Sequence, residues 1–296
     1  MPFLETRDIR LHYREAGGGE PLLLIHGLGS SGADWAFQEG PLAEHFRVLM
    51  PDLRGCGLSS RGSGRLSIAQ FAIDLWEFLD QLQTTRVHLL GYSLGGAVAL
   101  EMALRRPDSV IRLMTINSLP SYRVDTWRKW LEVNAQIALV RVLGLRRTAQ
   151  LVSRRLFPLP HQAPMRARVV KVLGDLDRHA YLETARALAG WCALTRMHQM
   201  SAPMLMLGAE HDYTPAAEKR AYAQQFGAQF ALVRGSRHGT PFDAIRACNA
   251  CALAHFLGQP LPSEDILVID AQALAPHAPP PGFDEREALE LELSES

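Results

Sequence analysis

Short apolar runs alternate with helix-spaced segments through most of the first 118 residues. Pro21–Ile25, Phe46–Met50, Val87–Leu90 and Val110–Ile116 are each four to seven residues long and end at a turn residue or a polar position. Runs of that length suit strands buried on both faces of a parallel sheet. Between the second and third, Ile68, Phe71, Leu75, Phe78, Leu79 and Leu82 fall at helical spacing. Leu94–Leu104 is a second helix, stopped before Pro107. The pattern returns at Pro203–Leu207 and Phe230–Val233. Alternating strand and helix predicts an α/β fold, a doubly wound and mostly parallel sheet. The first residues alternate apolar and charged and read as a β-hairpin at the sheet edge.

From 119 to 200 the alternation stops. Helical patterns dominate and no strand is convincing, so the segment reads as a helical cap inserted into the core. The expected organisation is core over 1–118, cap over 119–200, core again over 201–260, and a proline-rich, acidic, flexible tail over 261–296. The cap carries fourteen Lys and Arg against five acids, a net +9. The whole chain of 296 residues balances 31 basic against 31 acidic side chains. A neutral chain argues against a surface wholly given to nucleic acid or anionic membrane. Part of the compensation lies from Glu264 onward, with nine acids and one basic residue, Arg286. That tail either solvates the chain or folds back onto the basic cap.

An apolar fraction of 47% is enough for a sizeable core. No run approaches the roughly 18–20 apolar residues of a membrane span, and the start lacks a secretory pattern. A cytoplasmic protein is expected. Four cysteines are too few for a disulfide framework. Cys248 and Cys251 form a CxxC inside a helical pattern, which favours helix packing over redox or metal chemistry.

The chemistry concentrates in Gly91-Tyr92-Ser93-Leu94-Gly95-Gly96, a G-x-S-x-G placed between a strand and a helix. The glycines permit a tight turn that lifts the Ser93 hydroxyl above the sheet, and the following N–H groups open a helix and face developing negative charge. Ser93 is the candidate nucleophile. His26-Gly27-Leu28-Gly29 ends an earlier strand, and its Leu28 N–H, with that of Leu94, is a candidate oxyanion donor. His26 precedes the serine and ends a buried strand, so it reads as a structural hydrogen bond rather than as the base.

With HGLGSSGADW at 26–35, DLRGCGLSS at 52–60, GYSLGG at 91–96, MLGAEHDYTP at 206–215 and SRHGTP at 236–241, the chain resembles the α/β-hydrolase superfamily over roughly residues 9–258. The resemblance implies a triad in the order serine, acid, histidine, with the acid after the penultimate core strand and the histidine after the last. That points to Asp212 and His238. Glu210 competes as the acid; Asp243 follows the histidine and reads as the start of a helix. The alternative acid position, after the preceding strand, holds Asn117. His198 and His211 do not follow the final strand.

The resemblance further implies an esterase-like serine hydrolase working through an acyl-enzyme, with no metal or organic cofactor. Lactone, thioester or carbon–carbon substrates suit the same triad, although Gly239 after the histidine disfavours the last. A non-catalytic binding protein on the same scaffold would usually have lost a triad member. Tyr92, Trp35 and Trp127 are candidate substrate contacts. The apolar stretch from Val133 to Leu145, with Arg141, Arg146 and Arg147 beside it, reads as either plain helix packing or an acyl channel with a basic rim. The second reading implies a small-molecule ester with an apolar or anionic group, and as partners an acyl carrier protein, a coenzyme A ester or a free carboxylate.

Overall fold

The computed structural model describes residues 2–270. Eight strands form one sheet: β1 (Phe3–Glu5), β2 (Arg10–Ala16), β3 (Glu20–Ile25), β4 (Phe46–Pro51), β5 (Val87–Tyr92), β6 (Val110–Ile116), β7 (Met204–Ala209) and β8 (Gln229–Val233). Their order is β1-β2-β4-β3-β5-β6-β7-β8. β1 and β2 make the expected hairpin, and β2 pairs antiparallel with β4; every later pairing is parallel. β5 is buried along its whole length, as a central strand covered on both faces must be.

The strand order fixes where a site can form. After β3 the chain steps outward to β4, then crosses back to β5 on the other side of β3. The carboxyl ends of β3 and β5 therefore diverge at a topological switch point, the usual place for a ligand crevice in an open α/β sheet. The His26–Gly29 loop and Ser93 follow those two strands.

Helices α1 (Ala36–Ala43), α2 (Ile68–Gln81) and α3 (Leu94–Arg105) lie in the first half. Ser67 caps α2 by accepting from the Gln70 N–H, and α2 buries Phe71, Leu75, Phe78 and Leu79 against α3 and the sheet. The opposite face is covered by α1 and by the last helix, below.

Between β6 and β7 come α4 (Trp127–Leu156), α5 (Ala163–Gly174) and α6 (Arg178–Ala189). α4 is bent at Gly144, whose φ of 76° and ψ of 170° are not helical. The roots of the insertion are stitched together: Tyr122 N–H donates to Trp191 O, and Ala193 N–H to Pro120 O. Ile137, Val140, Leu145, Tyr181 and Leu182 form its own small core.

α7 (Ala216–Gln225), the one-turn α8 (Thr240–Asp243) and α9 (Ile245–Phe256) complete the helices of the described residues. Cys248 and Cys251 are buried in α9 against the sheet, and burial pushes both thiols up, Cys251 to about 12. They are core residues, not reactive thiolates.

The reading of 261–296 as one flexible tail needs correction at its start. Leu267 is buried, Arg234 and Val268 form a parallel bridge, Ile269 N–H donates to Arg234 O, and Asp270 N–H donates to Asp243 O. The cause is the backbone left unpaired just beyond β8, which the apolar Ile266–Ile269 run satisfies. The acidic stretch beyond 270 lies outside the described residues.

Candidate active site

Ser93 stands alone between the last residue of β5 and the first of α3. Its φ of 54° and ψ of −115° put a non-glycine residue in the left-handed half of backbone space, at a cost of about 1–3 kcal/mol. Such a turn needs close backbone approach on either side. A Cβ on Gly91 would collide with the Gly95 carbonyl, and one on Gly95 with the Ile25 carbonyl of β3. Ser93 N–H donates to Ile116 O at 2.9 Å, which ties the turn to β6.

His238 Nε2 lies 2.9 Å from Ser93 Oγ, and His238 Nδ1 lies 2.6 Å from Asp212 Oδ1. With the Nδ1 proton shared with the carboxylate, Nε2 is left to accept from the serine hydroxyl. Asp212 follows β7 by three residues and its side chain is wholly buried. Oδ1 also accepts from the Tyr213 N–H at 2.7 Å. Oδ2 accepts from Lys219 Nζ at 2.5 Å and Thr214 Oγ1 at 3.0 Å. Burial alone would push this carboxyl up; the charges and hydrogen bonds of His238 and Lys219 override it and hold it well below the usual carboxylate range.

Lys219 is the unforeseen member of this group. Its ammonium is fully buried and meets three acceptors, Asp212 Oδ2, Thr214 O and Thr214 Oγ1. Burial lowers its pKa and Asp212 opposes that. Three acceptors for three N–H groups favour the charged form. A lysine on a helix ordinarily reads as solvated surface, and no spacing in the sequence marks this one.

The other candidates are held elsewhere. Glu210 is half-exposed and its Oε2 accepts from the Gly235 N–H at 2.8 Å. Asp243 accepts from Ser236 Oγ and the Arg237 N–H, and burial pushes its carboxyl up to about 6. His26 is fully buried: Nδ1 faces Gly27 O at 2.8 Å, and Nε2 accepts from the Leu53 N–H at 3.0 Å. Burial lowers its pKa and so favours the neutral ring this pattern requires. It locks the β3 loop to the β4 loop.

Asn117, at the position after β6, spans three loops. Its Oδ1 accepts from Ala209 N–H at 2.8 Å, while Nδ2 donates to His238 O at 2.8 Å and Thr240 Oγ1 at 2.8 Å. An acid there could not donate to those two acceptors while ionised.

Above Ser93 is a cavity of about 310 Å³, roofed by α4 to α6. Gly27, Leu28, Ser93 and His238 lie at its base, and Leu156, Phe157, Met165, Val169 and Leu173 line its walls. Tyr92 borders it, and Tyr92 and Tyr213 flank the His238 ring at centroid distances of 5.3 and 4.8 Å. Leu94 is buried as the first residue of α3, where a helix leaves its N–H groups without intrahelical partners.

Two expected contacts do not reach the cavity. Trp35, at the end of the 3₁₀ turn Gly32–Trp35, is buried in the core cluster that α1 and α9 share with the sheet, because packing there covers its apolar ring. Trp127 is 72% exposed at the outer start of α4. The pocket there is instead lined by Asp34, next to Trp35, which accepts from Arg168 Nη2 at 3.0 Å and from Ser30 Oγ. Burial pushes the Asp34 carboxyl up and the Arg168 charge opposes it. Among the described lining residues these two are the formally charged pair.

A family model described as the alpha/beta hydrolase fold matches residues 20–159. A putative carbamate hydrolase of Variovorax paradoxus is 33% identical over 211 residues, 68% of this chain and 78% of that protein. An uncharacterized protein of Mycobacterium tuberculosis is 28% identical over 263 residues, 80% of this chain and 75% of that one. Among solved structures, the enol-lactonase of Burkholderia xenovorans matches with a TM-score of 0.78 at 25% identity, over 86% of this chain and 100% of that one. The chain belongs to the α/β-hydrolase family. Among the described residues no helix is long and apolar enough to cross a membrane.

Proposed function

We propose that this protein is a serine hydrolase that cleaves a neutral carboxylic ester bearing an apolar arm. The observation that carries the reading is the continuous chain Ser93 Oγ, His238 Nε2, His238 Nδ1, Asp212 Oδ1, with steps of 2.9 and 2.6 Å, at the base of an apolar cavity.

In this reading His238 takes the Ser93 proton as Oγ attacks the carbonyl carbon, and then gives it to the departing alcohol. Asp212 keeps the imidazole in the right tautomer and stabilises its charged form. The N–H groups of Leu28 and Leu94 hold the oxyanion; one such donor contributes about 3–4 kcal/mol. Water, activated by His238, then attacks the acyl-enzyme, releases the acid and restores Ser93. The strained Ser93 backbone and the Asn117 links keep these groups in place without reorganisation.

Charge narrows the substrate. Arg168, the one cation in the cavity wall among the described residues, already has Asp34 as its partner. A substrate carboxylate there would have to displace that pair, so a neutral ester is favoured over an anionic one. Arg146, Arg147 and Arg178 line a separate hollow that shares no residue with the cavity. Their charge bears on whatever meets the outer surface, a carrier protein included, and not on the scissile group. A lactone is the second reading. It is a cyclic ester open to the same attack, and the similarity to the enol-lactonase favours it.

The test is hydrolysis of matched neutral and carboxylate-bearing p-nitrophenyl esters and of simple lactones, with Ser93→Ala as control. Neutral substrates are expected to give the higher kcat/KM. Turnover of none of them, or turnover undiminished in Ser93→Ala, overturns the reading.

A further inference from the structure

Beside the cavity over Ser93 lies a second one, of about 170 Å³, between α4 and α6. The two share five wall residues: Leu28, Tyr122, Gln136, Tyr181 and Leu188. Val133 and Ile137 of α4 and Ala185 of α6 belong to the second alone. None of its wall residues carries a charge.

One contact between α4 and α6 lies among the residues the two cavities share. Tyr181 reaches from α6 and its hydroxyl accepts from Gln136 Nε2 of α4 at 3.4 Å, near the far limit of a useful hydrogen bond. Gln136 is exposed, and exposed side chains exchange rotamers within nanoseconds, so this contact opens readily from the α4 side. An apolar chamber offers a water molecule few of the two to four partners it needs. A hydrocarbon entering it leaves water at no polar cost. The shared Leu28 places the joint beside the proposed oxyanion donor, so a chain attached to a carbonyl at Ser93 can run into it.

We propose that the second cavity is a distal subsite for the neutral hydrocarbon arm of the substrate, with Tyr181 and Gln136 as the partition that sets how long an arm is accepted. The proposal rests on the ester-cleaving reading of Ser93. It adds a substrate class, esters with a medium-length unbranched chain, and assigns that preference to named residues of α4 and α6. The chain could belong to the acid or to the alcohol half of the ester, and the experiment separates them.

The experiment measures kcat/KM for two series, p-nitrophenyl esters of acids from two to twelve carbons and acetate esters of alcohols over the same range. It compares wild type with Ala185→Phe, which fills the second cavity from α6, and with Val133→Phe, which fills it from α4. In one of the two series the ratio of the ten-carbon to the four-carbon substrate should fall at least tenfold in both variants. An unchanged ratio in both series, in variants whose Ser93 still takes a phosphonate label, overturns the proposal. A wild type inert to every ester defeats the ester reading instead. The subsite is then read from the rise in Tm given by a neutral ten-carbon methyl ketone, expected in wild type and lost in Ala185→Phe; no rise in wild type also overturns it.

Discussion

At the scale of single residues, the buried carboxylate of Asp212 is heavily committed, with four donors on two oxygens. Asp212→Asn should lower kcat by about 10⁴-fold through the wrong imidazole tautomer, while Glu210→Gln stays near wild type; the reverse ranking in ester kinetics would mean that Glu210 is the acid. Lys219→Met removes one partner of a buried ion pair, a change worth about 3–5 kcal/mol and a fall in Tm on the order of 10 °C. Calorimetry beside ester turnover checks it, and a Tm within 2 °C of wild type, a loss of no more than about 1 kcal/mol, would show that the Lys219 ion pair does not hold the fold as described. Asp243 supplies a pH signature. Its carboxyl is pushed up to about 6 by burial, so the folded state binds its proton more tightly than the unfolded chain does. That contribution to stability is present below pH 4 and lost as pH rises through about 6. Relative to wild type, Asp243→Asn should gain about 2–3 kcal/mol between pH 4 and pH 7, read from urea unfolding at each pH. A pH-independent difference would rule out the raised carboxyl. In the sequence Ser93 stood out as a candidate by its strand–turn–helix setting, and Asp212 and His238 were pointed to by the family resemblance; Lys219 and the Asp34–Arg168 pair were not marked, since each depends on elements that meet only in three dimensions.

At the scale of elements, the turn from β5 to α3 shows how glycine, strain and chemistry are coupled. Gly95 has no room for a side chain against the Ile25 carbonyl of β3. Gly95→Ala should push α3 off the sheet, cost about 1–3 kcal/mol as overpacking, and shift Ser93 from His238. Turnover should fall by more than the loss of folded protein accounts for; unimpaired activity in the folded variant would mean that the elbow tolerates the displacement. The core strands and α2, α3 and α9 follow their apolar spacing closely, because both sheet faces are buried and the pattern is dense. The inserted helices were legible only as helices. Which face of α4 turns inward depends on the bend at Gly144 and on packing against α5 and α6, and for that reason Trp127 stands in solvent rather than in the cavity. The Ile266–Ile269 run, grouped with the tail by its neighbours' composition, is held by backbone beyond β8 that no local pattern announces.

At the scale of the molecule, the sheet order puts the His26–Gly29 loop and Ser93 at one switch point, β7 and β8 bring Asp212 and His238 to the same end, and the insertion after β6 roofs them. Apart from Arg168, the basic residues of 119–200 are spread around that roof instead of lining the cavity. Arg168 is paired with Asp34, Lys129 with Asp125, and Arg196 with Glu101 across to α3. The inserted segment thus combines a neutral, apolar cavity beneath it with a basic outer surface, and Ser93 lies at the base of that cavity. The most direct test is reaction of the purified protein with a serine-directed fluorophosphonate, read by intact mass and peptide mapping. One adduct per chain is expected, on Ser93, formed slowly or not at all in His238→Ala, with ester hydrolysis lost in step with labelling. An adduct on another residue, or full hydrolysis after Ser93 is blocked, would contradict Ser93 as the nucleophile.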